Sequence, residues 1–242
     1  MSKLVHLIPS TFARVAAAEW LRSAIGAAFG IVLTGVITAL FVGQSSGLLV
    51  LMAPIGASAV LLFAVPASPL ARPWAILGGN VISALVGVTV AHVTPSLIFA
   101  AGLAVGTAIA AMSLLRCLHP PGGAVALTAV VGGAEVADLG YLFALVPVLL
   151  NSALLAGAAI IYNRSIGRSY PHRAHAPAHP HPPERRIVLT DEDFDAVLAD
   201  YGETLDIGRR DLEMLYLELV GRAEKAAARP ARPSAPGRPP SN

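Results

Sequence analysis

Charge is what this sequence has least of. Between Arg22 and Glu135 only Arg72 and Arg116 are charged, leaving 49 uncharged residues from Ser23 to Ala71 and 43 from Pro73 to Leu115. A water-soluble core of that size needs charged surface positions inside such runs, so the solvent around this stretch is lipid. Cysteine is nearly absent too: Cys117 stands alone, which excludes an intrachain disulfide and any all-cysteine metal cluster. A sustained basic face is missing. Residues 1–170 carry 7 basic and 3 acidic side chains and residues 171–242 carry 10 and 12, so nucleic acid is excluded as a partner. The apolar region holds no paired carboxylates, nucleophile triad, phosphate-binding glycine motif or metal cluster, and the chain reads as a non-enzyme with no cofactor. Glu19 interrupts the apolar build-up near the N-terminus, which argues against a cleavable signal.

What is present fits a membrane bundle. The 242 residues are 55% hydrophobic and only 13% charged, with a mean hydropathy of +0.66. Twenty-two glycines suit close helix–helix approach in lipid. Six hydrophobic elements follow, at about 20–42, 46–65, 73–93, 96–115, 119–134 and 139–163. Four have the roughly 20 residues that cross a bilayer core. The second and fifth are shorter, and each contains or begins at a Pro/Gly cluster: Pro54-Ile55-Gly56 and His119-Pro120-Pro121-Gly122-Gly123. The expected fold is therefore an all-α bundle of about six elements, two of them broken or re-entrant. Backbone breaks at membrane depth survive only where protein or a polar cavity satisfies the freed groups, which points to a conduit or carrier.

Six crossings with a cytoplasmic N-terminus place Arg72, Arg116, Arg164, Arg168 and Arg173 inside and Glu135 and Asp138 outside, the basic-inside bias. Both termini are then cytoplasmic, in a bacterial inner membrane. Re-entrant second and fifth elements would instead leave Arg72 and Arg116 outside. The sequence also hints at an internal repeat. Residues from Pro54 resemble those from Pro120 at an offset of 66, and Asn80 with Ser83 echoes Asn151 with Ser152. Three crossings per unit would make it an inverted repeat, a recurrent carrier design; chance likeness of Gly/Ala-rich segments is the alternative.

The organisation expected is a cytoplasmic segment 1–16, a membrane domain 17–168, a Pro/His-rich linker 169–186, a short cytoplasmic helical segment 187–226 and a disordered tail 227–242. His172, His175, His179 and His181 in the linker have no carboxylate or cysteine to complete a metal site. Thr190 with Asp193 predicts a short helix to about Asp200, and Asp206 caps a second at about 208–224. Leu212, Leu215, Tyr216 and Leu219 share one face of that helix and call for a partner, most simply a second copy in a homodimer.

His119 is the sharpest candidate site. A helix beginning at Pro121 presents free N–H groups, and such an N-terminus attracts an anion. His119 can donate to that anion or exchange a proton coupled to its passage; alternatively it is a structural cap, with Pro120 and Pro121 shaping the bend. Arg116 adds positive potential at the mouth or serves only as a topology charge. The break at Gly56 and Ser58 contributes backbone N–H groups and a hydroxyl. Asn80, Asn151 and Thr128 line a polar pathway or bond between and within helices. Gly122 and Gly123 complete the set.

Leu118 to Ala124, preceded by Met112 to Arg116, resembles the signature of the HPP family of integral membrane proteins. The likeness extends to Pro54–Phe63, Pro69–Pro73, Gly78-Gly79-Asn80, Val146–Leu150 and Tyr170-Pro171, over about residues 15–171. That family is generally described with four membrane-spanning helices, against the six elements read here. Members are proposed transporters, and plant and cyanobacterial relatives are linked to nitrite. The resemblance implies transport of a small anion, most simply nitrite; nitrate, formate, bicarbonate or a neutral protonated acid also suit a helix terminus and a histidine. A membrane-anchored sensor or scaffold signalling through the C-terminal helices is the rival reading. Residues 189–212 look like the lead-in to the paired CBS modules of some members, for which no room is left before Asn242.

Overall fold

The computed structural model describes residues 17–42, 50–172 and 209–227, with the single positions 192, 196 and 207. The linker histidines beyond His172, the cap at Asp206, the first 16 residues and the tail lie outside the described residues, as does the expected Thr190–Asp200 helix apart from Glu192 and Ala196. The chain divides into two compact units, 1–173 and 174–242.

The first unit is all-helical in its described residues. Helix α1 (Ala17–Val42) is followed by α2 (Ala53–Ala64), a 3-10 turn (Pro69–Ala71), α3 (Pro73–Val93), α4 (Leu97–Leu114), α5 (Pro120–Val131), α6 (Gly133–Leu139) and, after a π-helical stretch at Ala144–Leu149, α7 (Leu150–Ser165). Four spans are long and apolar enough to cross a bilayer: Glu19–Phe41, Pro73–Val93, Leu97–Leu114 and Ala144–Ser165. The α5–α6 pair is bent by 97° at its break, the shape of a broken span or of a re-entrant loop, and α2 is a shorter apolar helix.

Proline sets several of these boundaries. Pro54, Pro73 and Pro120 each fall in a first helical turn, where the missing N–H costs no hydrogen bond. Within the second element a helix starts at Ala53 after the non-helical Leu51 and Met52, so the Pro/Gly cluster opens that helix and does not interrupt it. The sixth expected element is split: its first residue ends α6, the chain turns at Gly140, and the long helix resumes at Ala144 with non-helical torsions at Val146. The fifth ends at Val131 because Gly133 takes a φ of +70°. Helices α2 and α5 are each 12 residues, about 18 Å at 1.5 Å per residue, against a bilayer core of about 30 Å.

Packing follows a regular scheme. Helix α1 packs on α2 and α7, and α4 packs on α5 and α3; α2 meets α7 as α5 meets α3; and α2–α5 and α3–α7 contact one another. Exchanging α1, α2 and α3 for α4, α5 and α7 leaves this set of packed pairs unchanged.

Long-range bonds gather the ends. The Arg168 guanidinium donates to the Phe63 carbonyl at 2.9 Å and pairs with Glu19, and the Tyr162 hydroxyl donates to the Arg22 carbonyl at 2.8 Å. The Tyr170 hydroxyl reaches the Ala71 carbonyl at 2.7 Å, and the Trp74 indole the Leu115 carbonyl at 3.2 Å. The start of α1, the end of α2, the start of α3, the end of α4 and the end of α7 therefore share one end of the bundle. That end carries Arg22, Arg72, Arg116, Arg164 and Arg168. Tyr141, between α6 and the π-helical stretch, bonds Thr89 and stacks on His92 near the end of α3, placing that turn at the opposite end.

In the second unit α8 (Arg209–Ala227) is laced by the i,i+4 ion pairs Arg209–Glu213 and Glu218–Arg222. Leu215 and Leu219 lie exposed one turn apart on it.

Candidate functional site

The His119 site is built by a sharp reversal. After α4, Arg116 takes a φ of 54°, and the Cys117 N–H donates back to the Met112 carbonyl at 2.9 Å. The chain runs extended through His119 (φ −140°, ψ 108°) before Pro120 and Pro121 open α5, and the Gly122 N–H closes the first turn onto the His119 carbonyl at 2.8 Å. Helix α3 accommodates the reversal through Gly79: a Cβ there would stand 2.7 Å from both the Cys117 carbonyl oxygen and the His119 Cβ. Gly122 is equally confined, 2.7 Å from the Ser83 Oγ by the same measure.

His119 is fully buried, and both ring nitrogens are engaged. Nδ1 lies 3.0 Å from the Leu70 carbonyl, so it carries a proton and donates. Nε2 lies 2.9 Å from the Ser58 Oγ, which is itself 3.2 Å from the Pro54 carbonyl. A hydroxyl has one proton to give and can also accept. With neutral His119, Ser58 donates to Nε2; with the imidazolium, Nε2–H donates to Ser58, which turns its proton to Pro54. Each protonation state keeps its hydrogen bonds with no heavy atom displaced. Ser58 lies in the second turn of α2 and His119 is the N-cap of α5, so the start of α5 is joined to the middle of α2.

A second polar group lies between the long helices. The Asn80 Nδ2 donates to the Ser152 Oγ at 3.0 Å, and the Thr38 hydroxyl donates to the Asn151 Oδ1 at 3.0 Å. All four residues, and Thr34 one turn before Thr38, are fully buried. Asn80 Oδ1, Asn151 Nδ2 and Thr34 Oγ1 have no partner. Asn80 is the eighth residue of Pro73–Val93, and Asn151 is the eighth of Ala144–Ser165.

The remaining sequence candidates are dispersed. Arg116 and Pro120 are exposed, Pro121 is buried, and Gly56 sits on the outer side with nothing within 4 Å of a built Cβ. Gly123 is half-exposed. The Thr128 hydroxyl bonds its own helix at Ala124 O, 2.8 Å away. The structure thus joins His119 to Ser58 and sets Asn80 and Asn151 in one interhelical layer; it gathers none of these with Arg116 or Thr128.

Sequence reading missed Thr34, Thr38 and Ser152. The signal was there in part: Gly30, Thr34 and Thr38 recur every fourth residue, one face of α1. It also missed a cleft of about 340 Å³ at the far end, lined by Val88, His92, Ala129, Gly133, Val136 and Gly140 among others. There the His92 Nδ1 is held 2.7 Å from the Val88 carbonyl, and the ring stacks on Tyr141 at 5.9 Å. Among the described residues no group of three or more His, Cys, Asp or Glu is placed to hold a metal ion.

Two proteins of the amoeba Dictyostelium discoideum, described only as transmembrane proteins, are each 39% identical to the chain, over 127 and 126 residues. The matches cover 50% of this chain and 44% and 40% of those proteins, so the chain spans less than half the length of these curated relatives. No solved structure matches the chain. Residues 12–171 match the family described as HPP, transmembrane region, a range that takes in His119, Ser58, Asn80 and Asn151. This membrane protein belongs to the HPP family.

Proposed function

We propose that the chain carries a small inorganic anion, most simply nitrite, across a bacterial inner membrane, with both termini cytoplasmic. The observation that carries this reading is the buried junction of His119 and Ser58, where the start of α5 meets the second turn of α2 inside an uncharged bundle. A membrane anchor has no use for two such breaks, whereas a carrier uses helix starts at depth to handle a solute. Membership in a family of membrane transport and not of catalysis supports it. So does the exchange symmetry of the packing, which fits two inverted three-crossing units with α2 and α5 as their short members. The five arginines at one end fit a cytoplasmic mouth under the basic-inside rule, where they would hold anions near it. The pathway residues are His119, Ser58, Asn80 and Asn151, with Pro120, Pro121, Gly122 and Gly123 shaping the break.

Nitrite flux into liposomes should rise with reconstituted protein and fall on His119→Ala in correctly folded protein. Flux no greater than in protein-free vesicles overturns the proposal.

The exposed Leu215 and Leu219 on α8 favour a second role, a homo-oligomer or cytoplasmic-partner contact through the C-terminal unit. Deleting residues 174–242 should leave flux intact and abolish that contact; lost flux would make the tail part of the carrier.

A further inference from the structure

The interior of the membrane unit has polarity without charge. Its buried polar side chains are Thr, Ser, Asn and the single histidine His119. Every charged side chain described between residues 19 and 172 is exposed or half-exposed. A bare anion entering this interior would lose its hydration with no cation to replace it, a cost of many kcal/mol. A neutral solute with a hydrogen-bond donor and an acceptor escapes most of that cost.

The unpartnered atoms where α1 and α3 each pack on α7 have the matching complement. Asn80 Oδ1 is an acceptor, Asn151 Nδ2 a donor, and Thr34 Oγ1 a hydroxyl that serves either way. Asn80 and Asn151 each spend one amide atom on a hydroxyl, so in either amide orientation each has one polar atom left for a solute. A protonated oxyacid, H–O–X=O, can donate its hydroxyl to Asn80 Oδ1 while its other oxygen accepts from Asn151 Nδ2 or Thr34. Each asparagine is the eighth residue of its apolar span, Asn80 of Pro73–Val93 and Asn151 of Ala144–Ser165. No titratable group on the contacting helices competes for that proton: Glu19 and Arg22 on α1, Arg72 and His92 beside or on α3, and Arg164 on α7 all lie at helix ends. His119 on α5 is already bonded to Leu70 and Ser58.

We infer that the transported species is the neutral conjugate acid of the small anion, held at midpassage by Asn80, Asn151 and Thr34, so that one proton crosses with each anion and no net charge moves. This rests on the transport reading above and specifies the form that is carried. The balance is an acid–base one: the anion takes a proton on the side of entry and releases it on the side of exit.

The test uses full-length protein in liposomes loaded with a pH-sensitive dye, with sodium nitrite added outside and protein-free vesicles as the baseline. Protein-dependent influx should acidify the lumen one proton per nitrite, ignore an imposed potassium-diffusion potential, and rise about tenfold per unit fall in external pH at fixed total nitrite. Protein-dependent influx that follows the imposed potential and leaves lumen pH unchanged overturns the inference while the transport reading stands. No protein-dependent flux of nitrite, nitrate, formate or bicarbonate overturns both. Among variants, Asn80→Leu should lose most protein-dependent flux. Thr34→Val keeps the side chain's shape and removes only an unbonded hydroxyl, so it should fold and lower flux several-fold. Unchanged flux in folded Thr34→Val and Asn80→Leu would place the path elsewhere and overturn the assignment, as would loss explained wholly by Asn80→Leu failing to fold while Thr34→Val carries full flux.

Discussion

At the residue scale, the His119 end of the bundle depends on hydrogen bonds to backbone carbonyls that no helix of its own supplies. The 3-10 turn Pro69–Ala71 offers two such carbonyls: Leu70 takes the His119 ring, and Ala71 takes the Tyr170 hydroxyl. Tyr170 lies beyond the last membrane helix and is 2% exposed, and burial pushes its phenol up from the ordinary value. The sign of the consequence is fixed. The folded chain keeps the phenol neutral where the unfolded chain ionises it, so this contribution is whole below about pH 10 and is lost progressively as pH rises above it. Thermal unfolding of detergent-solubilised protein should show wild type above Tyr170→Phe by about 1 kcal/mol at neutral pH, from the one hydrogen bond. The gap should narrow above about pH 10, and a gap that stays flat across that window would remove Tyr170 from this role.

At the element scale, the two short helices differ in how tightly their surroundings hold them. The α3–α5 contact is closed by glycines: a Cβ at Gly79 meets Cys117 and His119, and one at Gly87 would lie 2.6 Å from the Ala126 carbonyl. Gly56 in α2 faces open space. Gly79→Ala should therefore destabilise by roughly 1–3 kcal/mol through overpacking against backbone that cannot yield. Gly56→Ala should stabilise by about 0.5–1 kcal/mol by lowering the backbone entropy of the unfolded chain. Calorimetry on both variants checks the contrast, and equal effects would contradict the close approach at Gly79. This asymmetry shows where the sequence was legible. Helix α3 begins at Pro73 and ends at Val93 as its composition predicts, because proline punctuation and apolar length act locally. The breaks at Pro54 and Pro120 were visible for the same reason. Their register was not: the helix starts align Met52 with His119 and Pro54 with Pro121, one residue from the pairing that residue likeness suggests. The 97° bend at Gly132–Gly133 was hidden because a Gly-Gly pair inside an apolar run does not say which way the chain turns. The bonds from Thr38 to Asn151 and from His119 to Leu70 join residues 113 and 49 apart, and only packing determines such partners.

At the scale of the whole molecule, the direction of each helix can be followed through the bonds that tie its ends. Gly26 and Gly30 of α1 lie against Phe63 at the end of α2, while Gly35 lies against Leu51 before its start, so the two run antiparallel. Trp74 ties the start of α3 to the end of α4, and Tyr141 ties the turn after α6 to the end of α3. The elements α1, α2, α3, α4, α5 and α7 then alternate in direction. Alternation with α2 and α5 only about 18 Å long fits six crossings in which these two traverse a bilayer thinned by protein around them, a count above the four spans that length alone gives. Cysteine labelling distinguishes the counts. The native thiol of Cys117 is fully buried, so added cysteines supply the exposed ones. Ala67→Cys between α2 and α3 and Ser113→Cys near the end of α4 should react with an impermeant maleimide from the cytoplasmic face. Ser96→Cys before α4 and Ala137→Cys in α6 should react from the opposite face. All four positions are exposed, so failure to label cannot be blamed on burial within the chain. If Ala67 and Ala137 label from the same face, α2 and α5 do not both cross, the arginines no longer share one side, and the inverted arrangement of the two halves is lost with them.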